Sequence, residues 1–320
     1  MPELRPADAV ALVVGDLHLS DKAPVSRMEQ GAAWWEVQRH YLDQLQKLTE
    51  QYPNAVVVYD GDIFHDGWRA KKCSPELINF AIENLPMGYG VPGNHDLPYH
   101  RYEDIRKSAF HSLCLAGVVK SLYPGDYAPV SADLVLYGVP WGCVLTPPPA
   151  DAKKLYPKAT HVAVIHDYIW KDNHCHPGVD VKKHVDSFAP VLEGYDVACF
   201  GDNHRGFIHN TKLGTTIVNT GAFINRNADE KNLKPAVAVV YSDKSVQLDF
   251  LDVSGDRWAD KLETVDPKNE ADFRKFLNTL ETLPDTSTDF VRALRAACRD
   301  RQVSPAVERI ITRLLAETEA

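Results

Sequence analysis

Short apolar runs alternate with stretches of helical period through about the first 250 residues. Ala9–Val14 is an unbroken apolar run and predicts a buried strand. Trp34, Val37, Tyr41, Leu45 and Leu48 recur every three or four positions, which predicts a helix over 34–51. Residues 55–59 are rich in valine and predict a second strand. Ser74 followed by Pro75 is a helix start, with Ser74 as N-cap of a helix over 75–85. A short strand at 88–91 and a helix at 101–116 follow. Further strands are expected at 134–139, 162–165, 197–200 and 215–218. Runs at 236–241 and 245–253 flank Ser242-Asp243-Lys244 and predict an antiparallel hairpin.

Strands that alternate with helices, then strands without helices, predict a mixed α/β fold with more than one sheet. The pattern changes after Val253. Strand signals stop, and helices are expected at 268–283, 288–301 and 304–317. The expected organisation is a catalytic domain over 1–255 and a helical tail or small subdomain over 256–320.

Composition narrows the functional classes. Of 320 residues, 44% are hydrophobic and 25% charged, as in an ordinary globular chain. No apolar stretch approaches the ~18 residues of a membrane span. The run at Ala9–Val14 reads as a strand rather than a signal peptide. The net charge of -9 excludes coating nucleic acid by bulk positive charge. It leaves open an enzyme that recruits nucleic acid through metal ions. The six cysteines are scattered without CxxC spacing, so reduced thiols and a cytoplasmic location are expected.

The candidate chemistry sits at the ends of the strands. The first strand leads into Gly15-Asp16-Leu17-His18, the second into Asp60-Gly61-Asp62-Ile63-Phe64-His65, and the third into Gly93-Asn94-His95-Asp96. Two later strands lead into His166-Asp167 and Gly201-Asp202-Asn203-His204. Ligands of α/β sheets bind beyond the carboxyl ends of the strands. Asp16, His18, Asp62, Asn94, His166, Asp202 and His204 are therefore expected to meet. Three gathered carboxylates repel one another unless cations intervene. Oxygen and imidazole donors without cysteine suit two divalent ions: Mn, with Mg, Fe or Zn as alternatives.

In this order the five elements resemble the calcineurin-like metallophosphoesterase superfamily, over roughly residues 9–226. The resemblance implies two facing mixed β-sheets flanked by helices, a four-layer sandwich, here with a C-terminal helical tail. It implies that Asp16, His18 and His204 ligate one metal, that Asn94, His166 and Asp202 ligate the second, and that Asp62 bridges both. It gives His95 a catalytic role at the phosphoryl group and the leaving oxygen. A hydroxide shared by the ions would attack phosphorus in line.

Two details are similar to the nuclease subunit of the DNA double-strand-break repair complex, the SbcD type. They are His65, where the protein phosphatases have Asp, and Asp96, where they have Glu. The segment Asn219-Thr220-Gly221-Ala222-Phe223 also resembles that branch. The resemblance implies that His65 assists catalysis, that DNA is the substrate, and that an ATPase is a possible partner. The last motif departs from the superfamily's Gly-His-x-His, because Asp202 replaces a histidine. The two-ion site becomes one unit less positive, which predicts a harder second site favouring Mn or Mg over Zn. The same change could instead weaken that site. A small-molecule phosphodiesterase or phosphatase, and a non-hydrolytic scaffold, are therefore the competing readings.

Other features read more plainly. His174, Cys175, His176 and His184 lack a complete tetrahedral spacing and suggest a loop at the rim. Asp66 and Asp96 are equally suited to orienting a histidine or to closing a turn. Arg292, Arg295 and Arg299 share one helical face, which suits a solvated stripe or a contact with DNA phosphate. Trp34 and Trp35 read as a packing anchor.

Overall fold

The computed structural model describes residues 6–68, 73–172, 175 and 179–259. The chain divides into two units, Met1–Ala259 and Asp260–Ala320. The helices expected at 268–283, 288–301 and 304–317, and the arginine stripe, lie outside the described residues, as do His174 and His176.

Among the described residues, twelve strands form two six-stranded sheets. In the first, β1 (Ala9–Val14), β2 (Val56–Tyr59), β3 (Gly88–Gly90) and β4 (Val119–Ser121) run parallel. The antiparallel hairpin β11 (Ala236–Tyr241) and β12 (Val246–Phe250) joins this sheet beside β1. In the second sheet, β6 (Leu134–Val139), β7 (Thr160–His166), β8 (Val197–Gly201) and β10 (Thr216–Asn219) are parallel. Its antiparallel edges are β5 (Tyr127–Pro129) and β9 (Phe207–Asn210).

Side-chain alternation sorts the sheets into layers. Ala11 and Val13 of β1 share a buried cluster with Val162 and Val164 of β7, so the inner faces of the two sheets meet. Leu12 and Val14 point the other way, into a cluster with Trp34, Tyr41, Leu42 and Leu45 of α1 (Trp34–Gln51). Ala163 and Ile165 of β7 pack outward with Ala152 of α4 (Ala150–Leu155) and Val185 of α5 (Val185–Phe188). This is the expected four-layer sandwich. Burying strands on both faces explains why their sequences are continuous apolar runs. Trp34 is fully buried, as expected of an anchor, and its indole N–H donates to the Ser20 carbonyl. No helix among the described residues is long and apolar enough to cross a membrane.

Local chemistry sets the helix limits. The Ser74 hydroxyl accepts from the Leu77 amide and opens α2 (Pro75–Asn84), as its sequence predicts. The helix expected over 101–116 is divided. A 3-10 segment spans Tyr102–Lys107, and α3 (Ala109–Leu115) starts afresh after Ser108. Ser108 has extended backbone and its hydroxyl caps the His111 amide, so the serine starts a helix rather than continuing one.

Candidate metal centre

Parallel pairing brings the loops together. Val14 lies opposite Tyr59 and Tyr59 opposite Gly90, so the loops after β1, β2 and β3 leave the same edge of the first sheet. His166 lies opposite Gly201, which does the same for β7 and β8. Backbone bonds from Asp16 N–H to the Gly61 carbonyl and from His18 N–H to the Asp62 carbonyl stitch the first two loops. The segment 219–223 fits beneath them: Phe223 N–H donates to the Asp16 carbonyl and Ala222 N–H to the His204 carbonyl.

The turns are tight and strained. Asp16, His18, Asp62 and Asp202 all have positive φ, at 51°, 48°, 51° and 74°. Non-glycine residues adopt this region at an energetic cost, and such strain clusters at functional sites. Two glycines are sterically required. A Cβ on Gly93 would lie 2.1 Å from Asp62 Oδ1, and one on Gly61 would lie 2.1 Å from His166 Nδ1.

Among the described residues, three donor groups converge: Asp16, His18 and His204; Asp16, Asp62 and His166; and His18, His65 and His95. Asp16, His18, Asp62 and His166 are buried. His166 Nδ1 lies 2.7 Å from the Asp60 carbonyl, so Nδ1 carries a proton and Nε2 is the nitrogen that can offer a lone pair to a metal once its own proton is displaced. That nitrogen faces Asn94 Oδ1 at 3.0 Å and Asp62 Oδ2 at 3.4 Å. Three acceptors aimed at one another repel unless a proton or a cation lies between them. His18 Nε2 likewise lies 3.2 Å from His204 Nε2 and 3.7 Å from Asp62 Oδ2. Neutral imidazoles, carboxylates and an amide oxygen are the donor chemistry of a divalent-cation site, and the residues present fit one.

The electrostatics agree. Burial pushes the Asp16 carboxyl up to about 6, and the neighbouring histidines hold it from rising further. Burial alone would lower His204, but the Glu230 hydrogen bond and the Asp16 charge outweigh it and raise His204 to about 9. Burial also works against charged His166, yet Asp62 and Asp16 raise its pKa well above the usual value. For His18 burial wins, aided by His204, His95 and His65, and its pKa falls well below the usual value. Such a field binds positive charge.

Asp202 stands apart from the three convergent groups. Its amide donates to both Asp16 oxygens, at 3.2 and 3.0 Å, and burial raises the pKa of its own carboxyl. The His65 and His95 rings stack 5.1 Å apart with 16° between their planes. His95 Nδ1 lies 2.6 Å from the His65 carbonyl, and its amide donates to Asp62 Oδ1 at 2.8 Å. Asp96 closes turns: its buried carboxylate accepts from the Ile63, Phe64 and Gly93 amides.

Two participants were not singled out from the sequence. Glu230 Oε1 lies 2.6 Å from His204 Nδ1, fixing which ring nitrogen faces the site. Its signal was the Asn227-x-x-Glu230 capping box. Arg226 is buried and donates to the His18 carbonyl, holding that loop from behind.

Residues 10–206 match the calcineurin-like phosphoesterase family in sequence. Among solved structures, the chain is similar to TT1561 of Thermus thermophilus, at 10% identity, over 76% of this chain and 99% of that one, with a TM-score of 0.46. It is also similar to the sulfate thiohydrolase SoxB of Thermus thermophilus in complex with glycerol, at 13% identity, over 80% of this chain and 59% of that one, with a TM-score of 0.49. No curated protein matches the chain. Since the family match spans more than half of the sequence, the chain belongs to the calcineurin-like phosphoesterase family, whose members carry out metal-dependent phosphoester hydrolysis.

Proposed function

We propose that the protein is a DNA nuclease, hydrolysing phosphodiesters with two divalent ions, Mn in preference to Zn. One ion would be held by Asp16, His18 and His204, the other by Asn94, His166 and Asp202, with Asp62 between them. The bound ions would supply Lewis-acid charge and make water a nucleophile near neutral pH. The chain's own groups do the rest. The His95 Nδ1 proton is committed to the His65 carbonyl, so Nε2 is the nitrogen left for substrate. With Nε2 also protonated, His95 would donate from there to the phosphoryl oxygens and pass the Nε2 proton to the departing alkoxide, ending with Nδ1–H alone. Glu230 keeps His204 in one tautomer, and Asp96 holds the Asp62 and Asn94 loops in register.

The observation that carries this reading is the stacked His65–His95 pair beside the acidic cluster. A diester leaves as an alkoxide that needs a proton, and a paired imidazole meets that need. DNA as substrate, His65 as an assisting residue, a partner ATPase and a cytoplasmic setting belong to the same proposal, as does a catalytic domain over 1–255.

Linearised plasmid, a single-stranded oligonucleotide and bis-p-nitrophenyl phosphate, each with Mn, test it. Loss of DNA substrate supports a nuclease. Hydrolysis of the small diester with intact DNA makes the protein a small-molecule phosphodiesterase. Inertness towards all three, with every metal, makes it a scaffold.

A further inference from the structure

The two loops that carry Asp62 and Asn94 stay cross-linked as they leave the buried centre. Innermost, the His95 amide binds Asp62 Oδ1. Further out, the His65 and His95 rings stack, and Gly67 N–H donates to the His95 carbonyl. Three residues beyond His65 and four beyond His95, Trp68 and Tyr99 form the next ring pair, with centroids 5.0 Å apart and planes at 43°. Burial falls along this series: Asp62 is buried, His65 and His95 are half-buried, and Tyr99 is 69% exposed.

The backbone holds Tyr99 in this position at a cost. Tyr99 and His100 are consecutive non-glycine residues with φ of 53° and 56°. His100 Nδ1 lies 2.9 Å from the carbonyl of Asn94, and the His100 amide donates to the Leu97 carbonyl. Successive left-handed residues are disfavoured, and such conformations persist where the surroundings enforce them. Here the enforced conformation sets a large ring in solvent, next to an indole and one short loop away from the Asn94 amide. Core packing does not account for it, because the phenol ring is mostly outside the core.

We infer that Trp68 and Tyr99 form a stacking subsite for the nucleobase next to the scissile phosphate. This inference rests on the reading of the centre as a nucleic-acid phosphodiesterase and adds how the substrate is gripped. A chain with net charge -9 gains little from bulk attraction to a polyanion, so flat ring faces are a suitable alternative source of grip. Stacking tolerates any base, which suits a nuclease without sequence preference.

The test measures binding and cleavage separately. Fluorescence anisotropy with Mn follows a labelled phosphorothioate single strand carrying natural bases and a matched strand carrying abasic residues. The wild-type protein binds the natural strand more tightly. That preference falls roughly tenfold in Tyr99→Ala and in Trp68→Ala and is retained in Tyr99→Phe, because the phenyl face still stacks. Equal affinity for the two strands in the wild type, or a preference that survives both alanine variants, overturns the subsite. Cleavage of the matching phosphodiester strands reports on the nuclease reading. Base-dependent binding without cleavage leaves the subsite standing and removes the nuclease. Cleavage with no base preference in binding does the reverse.

Discussion

His18 and His204 meet nitrogen to nitrogen, with their Nε2 atoms 3.2 Å apart. Glu230 accepts a hydrogen bond from His204 Nδ1, and despite burial that bond helps raise the His204 pKa to about 9. Burial, aided by the neighbouring positive groups, keeps His18 neutral. Without a cation, the His204 imidazolium therefore donates its second proton to His18, and that proton sits between the two nitrogens where a metal would bind. Metal and proton compete for the same lone pairs.

Manganese uptake at pH 7 should accordingly release protons. His204 gives up about one, and His166, also raised well above its ordinary value, contributes another. Affinity should rise with pH up to about 9, where His204 no longer carries the displaced proton. Isothermal calorimetry in two buffers of different ionisation enthalpy measures the released protons. Heats independent of buffer would show that the histidines are not the groups displaced.

Glu230→Gln separates positioning from ligation. The pKa of Glu230 falls from 4.5 to about 2: burial opposes the shift, but the bond to His204 and two backbone amides outweigh it. A depressed acid contributes stability above 4.5 that is lost as pH falls through 2. A raised histidine contributes stability fully present below 6.5 that is lost as pH rises through 9. In EDTA the pair therefore stabilises the fold most between 4.5 and 6.5. Urea midpoints across this range should show a maximum that flattens in Glu230→Gln. Metal affinity should fall roughly 10–100-fold in the same variant, as for other partners of a ligating histidine.

His95→Ala should lower turnover of bis-p-nitrophenyl phosphate by roughly a hundredfold or more while bound metal stays near the wild-type amount. Turnover near the wild-type rate would remove His95 from the chemistry.

Much of this centre was legible in the sequence, because each ligand type directly follows an apolar run and strand ends in α/β sheets converge. Asp16, His18, Asp62, His166 and His204 meet as that logic requires. Glu230 was harder to see. It acts through His204 from a separate 3-10 turn, Ala228–Glu230, and a capping box signals only a helix start. The strands β4, β5 and β9 span three or four residues each, and two of them carry polar side chains within the run, as in Val119-Lys120-Ser121. Their alternation is too short to stand out. Asp96 could have been read as a partner for histidine. Two of its three backbone donors, Ile63 and Phe64, come from a loop more than thirty residues away, so its role as a clamp between loops became visible only in three dimensions.

That clamp predicts a stability defect. Asp96→Ala strands the buried Ile63, Phe64 and Gly93 amides, at a cost of about 2–4 kcal/mol. Urea unfolding in EDTA, which removes any contribution from bound metal, measures it. A loss within ~0.5 kcal/mol would mean that water or a shifted loop takes over the three donors.

Asp202 is a test of metal preference. With an oxygen donor in place of a nitrogen, the wild-type protein should be more active with Mn or Mg than with Zn, and Asp202→His should shift the ratio towards Zn. Maximal wild-type activity with Zn alone would contradict a harder second site.

The central claim is that Asp16, His18, Asp62, Asn94, His166 and His204 gather divalent cations. Metal analysis after equilibration with Mn and removal of free ions tests it most directly. About two Mn per chain are expected in the wild type, and fewer than one in Asp62→Ala, because Asp62 faces both histidine groups. A wild-type chain that retains no Mn, or an Asp62→Ala chain that retains as much as the wild type, would contradict the account.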